Sequence, residues 1–216
     1  MYDVKCITNA VLDIQRRSDD PTLLQSLALL YEYQRLFDKS FVIYINLADQ
    51  TVFDFLVKHS LYECAFDNLT RLIELNRAKA VAMLVEHTDK LPVKRVVEQL
   101  SKQSSSNNKL YLHYYLDAIF DKDPSLSRDF HTMQVVLYAE YERDKLLNFL
   151  QNSQYIILAQ AQKELQERNL VPEIVYILER MGQIKKALQL VLHAIKDVNQ
   201  AIVFCKKHND KDLWVS

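Results

Sequence analysis

The chain has 216 residues, 49% hydrophobic and 25% charged, with 27 basic against 28 acidic residues and a formal net charge of −1. That balance excludes a global field able to hold a polyanion or an acidic membrane face. One glycine and four prolines leave little from which to build tight hairpin turns, phosphate-cradling loops or nucleophile elbows, so the composition predicts helices throughout.

In chain order, Tyr2, Asp3 and Lys5 interrupt any signal peptide, and Val4, Ile7, Val11 and Ile14 recur at helical spacing. Pro21 opens the next stripe, Leu23, Leu27 and Leu30; Pro92 opens Val93, Val96, Val97 and Leu100. A missing N–H costs nothing in a first helical turn, so Pro21, Pro92, Pro124 and Pro172 mark helix starts. The longest unbroken apolar run, Ala80 to Val85, falls far short of the ~20 residues that cross a bilayer, so membrane association is expected to be indirect. Ser101 to Asn108 carries no apolar residue and is expected to be a long inter-helix loop within one solenoid spanning residues 1–216. Gly182 stands between one stripe ending at Leu178 and another running from Ile184 through Ala187, Leu188, Val191 and Leu192 to Ile195, where a left-handed helix terminator belongs. Val198, Ala201, Ile202 and Cys205 form the last stripe, with Asp197 placed to cap it. Residues 212–216, with Trp214, read as the opening of a further helix, as expected of a piece of a longer solenoid.

The chain also aligns on itself. Glu32 to Ile43 matches Glu179 to Leu190 without gaps, placing Arg35 on Gly182 and Ser40 on Ala187. Lys79-Ala80-Val81-Ala82-Met83 and Gln200-Ala201-Ile202-Val203-Phe204 echo it. Each sets a small residue ahead of large apolar ones, as needed where the second helix of a hairpin crosses its partner closely.

No catalytic constellation emerges. The six histidines are scattered, and Cys6, Cys64 and Cys205 are far apart and odd in number, which suits reduced, buried thiols and not a zinc site or a disulfide framework. His113, Asp117 and Asp121 share a helix face near Asp123, a spacing at which a divalent ion could sit, although a solvated face running into a turn explains it as well. Asp19-Asp20-Pro21 lacks the further aspartate of a magnesium motif, since Leu23 stands there. Tyr111, Tyr114 and Tyr115, and again Tyr138 and Tyr141, lack the interleaved basic residues of a base-stacking platform. They are expected to be core residues with hydroxyls reaching the surface. Lys94-Arg95 and Lys206-Lys207 read as solvated helix surface. No catalytic, cofactor-binding or metal-binding residue is therefore expected, nor nucleic-acid binding, and no interface residue is marked.

Leu29-Leu30-Tyr31-Glu32-Tyr33, Phe37-Asp38-Lys39-Ser40, Val52-Phe53-Asp54-Phe55 and Lys58-His59-Ser60-Leu61-Tyr62 resemble the clathrin heavy-chain repeat region of vacuolar sorting proteins. Tyr111 to Phe120, Leu137 to Tyr141, Leu146 to Leu150 and Val175 to Gly182 narrow the resemblance to the vacuolar protein sorting-associated protein 41 family, subunits of the HOPS tethering complex. It runs from about Val4 to Trp214. The resemblance implies an all-α solenoid of stacked helical hairpins, TPR-like, flanked in the family by a β-propeller and a RING finger. It also implies a non-enzymatic scaffold, cytoplasmic and peripheral on late endosomes, vacuoles or lysosomes. Expected partners are the other HOPS subunits, the chain itself and the adaptor-3 coat, with no cofactor. A clathrin-type self-assembling coat module is the alternative.

Overall fold

The structure is a computed structural model and describes residues 4–15, 20–102, 106–192 and 198–208. Asp197, Ile195 and Trp214 lie outside the described residues. The described residues are all-α, with no strand, and the chain divides into two compact units, residues 1–118 and 119–216.

The first unit holds α1 (Val4–Gln15), α2 (Pro21–Tyr33), α3 (Phe37–Asn46), α4 (Val52–His59), α5 (Tyr62–Asp67), α6 (Leu69–Leu75), α7 (Arg77–Glu86), α8 (Val93–Lys102) and most of α9 (Ser106–Lys122). In the second unit a 3-10 turn, Pro124–Phe130, is followed by α10 (His131–Tyr141), α11 (Arg143–Asn152), α12 (Leu158–Glu167), α13 (Val171–Arg180), α14 (Ile184–Leu190) and α15 (Val198–His208). The prolines sit where their missing N–H costs nothing: Pro21 and Pro124 open their elements, Pro172 lies in the first turn of α13, and Pro92 directly precedes α8. Asp20 caps α2 by accepting from Thr22 N at 2.8 Å, and Asn76 caps α7 by accepting from Lys79 N at 3.0 Å.

Glycine scarcity does not prevent left-handed helix ends. Arg35, Ala48, Ser60 and Asn169 take φ between 53° and 58°, and Gly182 takes 72°. All five end a helix in one way: the left-handed residue's N–H reaches back three residues and the next N–H reaches back five. Examples are Arg35 N to Glu32 O with Leu36 N to Tyr31 O, and Gly182 N to Glu179 O with Gln183 N to Leu178 O. These are Schellman ends, announced by the residue itself at Gly182 and more weakly at Asn169.

Between Glu32 and Asn76 the hairpins repeat about every 26 residues. Lys58 Nζ donates to Glu32 Oε1 at 3.0 Å, Cys64 Sγ to Asp38 Oδ1 at 3.3 Å and Asn76 Nδ2 to Gln50 Oε1 at 3.2 Å, each pair 26 residues apart. Arg71 Nη2 donates to Asn46 Oδ1 at 2.7 Å across 25 residues. In the first unit α3 packs on α6 and α4 on α7; in the second α10 packs on α12 and α11 on α13. First helix thus stacks on first and second on second, as in a helical repeat. The α5–α6 pair is one helical position interrupted at Asn68, whose Nδ2 donates to Cys64 O at 3.0 Å and so competes with the helical ladder.

Each unit has an apolar interior. Leu56, Leu84, Val96, Leu146, Leu150 and Leu165 are fully enclosed, each burial worth ~2 kcal/mol. The self-alignment is a structural equivalence: Arg35 and Gly182 both end a helix in the left-handed region, and Ser40 and Ala187 are both fully buried one turn into the next. Ser40 Oγ donates to Ala28 O at 2.8 Å across the α2–α3 crossing.

Two expectations need correction. The stretch 101–108, predicted as a loop, is helical at both ends, since α8 runs through Lys102 and α9 begins at Ser106, with residues 103–105 outside the described residues. Its polar residues belong to helix ends, and of Asn107 and Asn108 only the latter is buried. Likewise α14 is α-helical to Leu190 and passes into a π-helical turn at 191–192, where Val191 continues the buried stripe but Leu192 is exposed.

Candidate protein-interaction surface

Most polar residues singled out in the sequence have structural work. Asp20 is a helix cap. Asp123 caps the 3-10 turn through Ser125 N at 2.9 Å, and the Ser125 hydroxyl, followed by this backbone bond, holds its carboxyl below the usual range. His113 is buried while Asp121 is exposed, and no group of three His, Cys, Asp or Glu residues suited to a metal occurs among the described residues. Arg95 is engaged by Glu63 through two bonds of 2.7 and 2.6 Å and lies 4.1 Å over the Phe66 ring, so it forms no phosphate track. Lys207 pairs with Glu179 at 3.0 Å. Cys64 is half-buried and Cys205 buried; burial, then the Asp38 carboxylate it donates to, pushes the Cys64 thiol up to about 11, which leaves it protonated.

Among the tyrosines, Tyr111 reaches out to Glu74 at 3.3 Å and the Tyr114 ring carries the Arg77 guanidinium at 4.1 Å. Tyr115 departs from expectation. It is 0% exposed and its hydroxyl has no hydrogen-bond partner among the described residues, so burial drives its pKa well above the usual value.

What the sequence did not announce is a histidine node in the second unit. His131, fully buried, sets Nδ1 2.5 Å from Ser153 Oγ, and Nε2 3.2 Å from Ser127 Oγ and 2.9 Å from Pro124 O. Phe120, Phe149 and Tyr155 pack round its ring, with centroids 5.3 to 5.6 Å away. Burial lowers its pKa, with the Pro124 carbonyl opposing in part. A serine beside a histidine suggests a nucleophile, yet Ser153 is itself buried, and no carboxylate is among the hydrogen-bond partners of the imidazole. The node is a clamp: it ties the 3-10 turn and α10 to the end of α11. Arg180 reinforces that end by donating to Leu150 O at 2.9 Å and Ser153 O at 3.0 Å, a cation on the terminal carbonyls of a helix.

The clamp shapes a surface. The non-helical stretch from Ser153 to Ile157 is held at both ends, by His131 and by Thr132, whose Oγ1 accepts from Ile157 N at 3.0 Å. Beside it lie two adjoining pockets of about 320 and 410 Å³ that share Asp129, Thr132 and Ile157. Met133, Tyr155 and Ile157 are exposed there, with Arg128, Lys163 and Glu164 around them. An apolar floor inside a charged rim accepts another protein's side chains better than it accepts a reaction. The signal available in the sequence was the helix-free, apolar run Tyr155-Ile156-Ile157, which no periodicity explains.

Comparison with known proteins agrees with this architecture. A family model described as the Vps41 TPR-like region matches residues 1–216. The chain is 36% identical over 215 residues to the vacuolar protein sorting-associated protein 41 homologs of Mus musculus and Homo sapiens, covering 99% of this chain and 25% of each relative. It is 35% identical over 196 residues to that of Solanum lycopersicum, covering 90% of this chain and 20% of the relative, and 27% identical over 223 residues to vacuolar protein sorting-associated protein 41 of Schizosaccharomyces pombe, covering 99% and 25%. The chain thus spans a quarter or less of the length of these relatives. It belongs to the Vps41 family, within that family's TPR-like helical region.

Proposed function

We propose that this chain is a protein-interaction scaffold segment of the HOPS tethering complex, acting in vesicle transport and fusion at late endosomes and the vacuole or lysosome. Family membership over the whole chain, joined to a stacked-hairpin architecture, carries the reading. Such a repeat offers long lateral surfaces and can add another chain's helices by the packing that joins its own. The reading involves no catalysis. Asp20 and Asp123 serve as caps, and Ser127, His131 and Ser153 hold one another in the buried clamp. Its residence at membranes is indirect, through partners: no helix among the described residues is long and apolar enough to cross a bilayer.

The test is size-exclusion chromatography with light scattering on the chain alone and mixed with each other HOPS subunit in turn. Stoichiometric co-elution with at least one subunit is the expected result. Elution of the chain apart from every subunit overturns the reading, and concentration-dependent polymers of the chain alone favour the self-assembling coat module instead.

A further inference from the structure

The repeat shows what ordinarily covers the outward face of its first helices. On α4, Phe55 is 7% exposed and the His59 side chain 14% exposed. They are covered by α3: Phe37 stacks on His59 at 4.0 Å, and Tyr44 meets Phe55 edge-on at 5.2 Å. Twenty-six residues earlier, in the register of the hydrogen bonds between hairpins, these positions are Leu29 and Tyr33 of α2. There Leu29 is 61% and Tyr33 76% exposed, with Leu36 also uncovered beyond them. Twenty-six residues before Phe37 stands Val11 of α1, which carries no ring, and the position 26 residues before Tyr44 lies outside the described residues.

The same surface is cationic at one end. Arg35, exposed at its left-handed position, has no ion-pair partner among the described residues, and Lys58, exposed beside it in the repeat, shares Glu32 with His59. On α4 the guest's first residue, Phe37, lies at the C-terminal end of the host helix. A guest bound to α2 in the same manner brings its own N-terminus, where acidic residues are favoured, to Arg35.

From this we infer that the Leu29–Tyr33–Leu36 face of α2 is a docking site for an amphipathic helix of a partner protein, one that opens with acidic residues and carries two aromatic side chains seven residues apart. The inference rests on the scaffold reading and specifies its partner chemistry. Two rings cover Leu29 and Tyr33 as Tyr44 and Phe37 cover Phe55 and His59, and the acidic start meets Arg35.

A labelled peptide of α3's own sequence, residues 37–47 preceded by two glutamates, is the probe, followed by fluorescence anisotropy against the full chain. Saturable binding is expected, weakened about tenfold or more, as for loss of a central aromatic anchor, by Tyr33→Asp in the chain or by alanine at both aromatic positions of the peptide. Circular dichroism confirms the fold of each variant. Arg35→Glu is expected to weaken the glutamate peptide and to favour one with lysines in their place. Absent binding, or binding indifferent to both Tyr33→Asp and Arg35→Glu, overturns the site. A dimer of the chain that Tyr33→Asp dissolves also overturns it, by assigning the face to a second copy. If the site fails while a HOPS subunit still co-elutes with the chain, the scaffold reading stands without it.

Discussion

Ala48 holds φ at 53° with a Cβ attached, and a left-handed conformation costs an L-residue roughly 1–2 kcal/mol. Ala48→Gly relieves that strain and loses some of the gain to the freer unfolded chain, so a net stabilisation of about 0.5 kcal/mol is expected in urea unfolding. The reverse case is Gly182. A Cβ there meets nothing within 4 Å, so Gly182→Val is penalised by φ alone, by about 1–2 kcal/mol, while Gly182→Asn should cost clearly less. His131 predicts a pH effect of definite sign. Its pKa is lowered from 6.5 by burial, so on acidification the unfolded chain takes up its proton first. The neutral buried ring contributes fully above about 6.5, and that contribution is lost as the pH falls toward the folded-state value. Urea midpoints measured from pH 7.5 to 5 should fall for the natural chain. They should fall less steeply for His131→Asn, which begins lower because Ser127 and Ser153 lose a partner.

At the scale of elements, the small residues at hairpin crossings decide how closely two helices approach. Ser40 and Ala187 are fully buried at equivalent crossings, and a branched side chain at either must push the helices apart. Ser40→Leu and Ala187→Leu should each lower stability by about 2–3 kcal/mol. Ser40→Ala should cost about 1 kcal/mol, the Ala28 carbonyl losing its extra donor; equal losses for Ser40→Ala and Ser40→Leu would show that the crossing has room. These crossings were legible in the sequence, because Ser40 and Ala187 fall in register when Glu32–Ile43 is laid on Glu179–Leu190, and the prolines were reliable marks of helix starts. The 26-residue period was not. Successive hairpins are joined by Lys with Glu, Cys with Asp, Arg with Asn and Asn with Gln, four different pairings from which no repeat could be recognised. Nor was the His131 node legible, since Ser127, four residues away, reads as an ordinary helical neighbour and Ser153, 22 residues away, falls on no local spacing. The polar run at 101–108 was misread for a simpler reason: exposed helix ends and loops share a composition.

For the whole molecule, a period of 26 residues has a consequence that composition and charge do not. Gln50 and Asn76 occupy equivalent places in successive hairpins and are bonded to each other at 3.2 Å. Removing residues 51–76 therefore joins Gln50 to Arg77 in register: α4, α5 and α6 leave together, and α7 arrives where α4 stood, with Val81 and Val85 in the places of Phe55 and His59. Because each hairpin of a repeat array is stabilised mainly by its neighbours, such an excision should keep a helical, cooperatively melting protein, weakened by the smaller side chains at the new junction. Removing residues 51–69 takes out less sequence but breaks the register, so α6 and α7 meet α3 with the wrong faces. Circular dichroism melts of the two deletions separate the cases. A sharp transition for the 26-residue excision and a broad or absent one for the 19-residue excision is expected. If the shorter deletion melts as sharply as the longer, adjacent hairpins are not joined in a fixed register, and the hydrogen bonds between them are incidental to the fold.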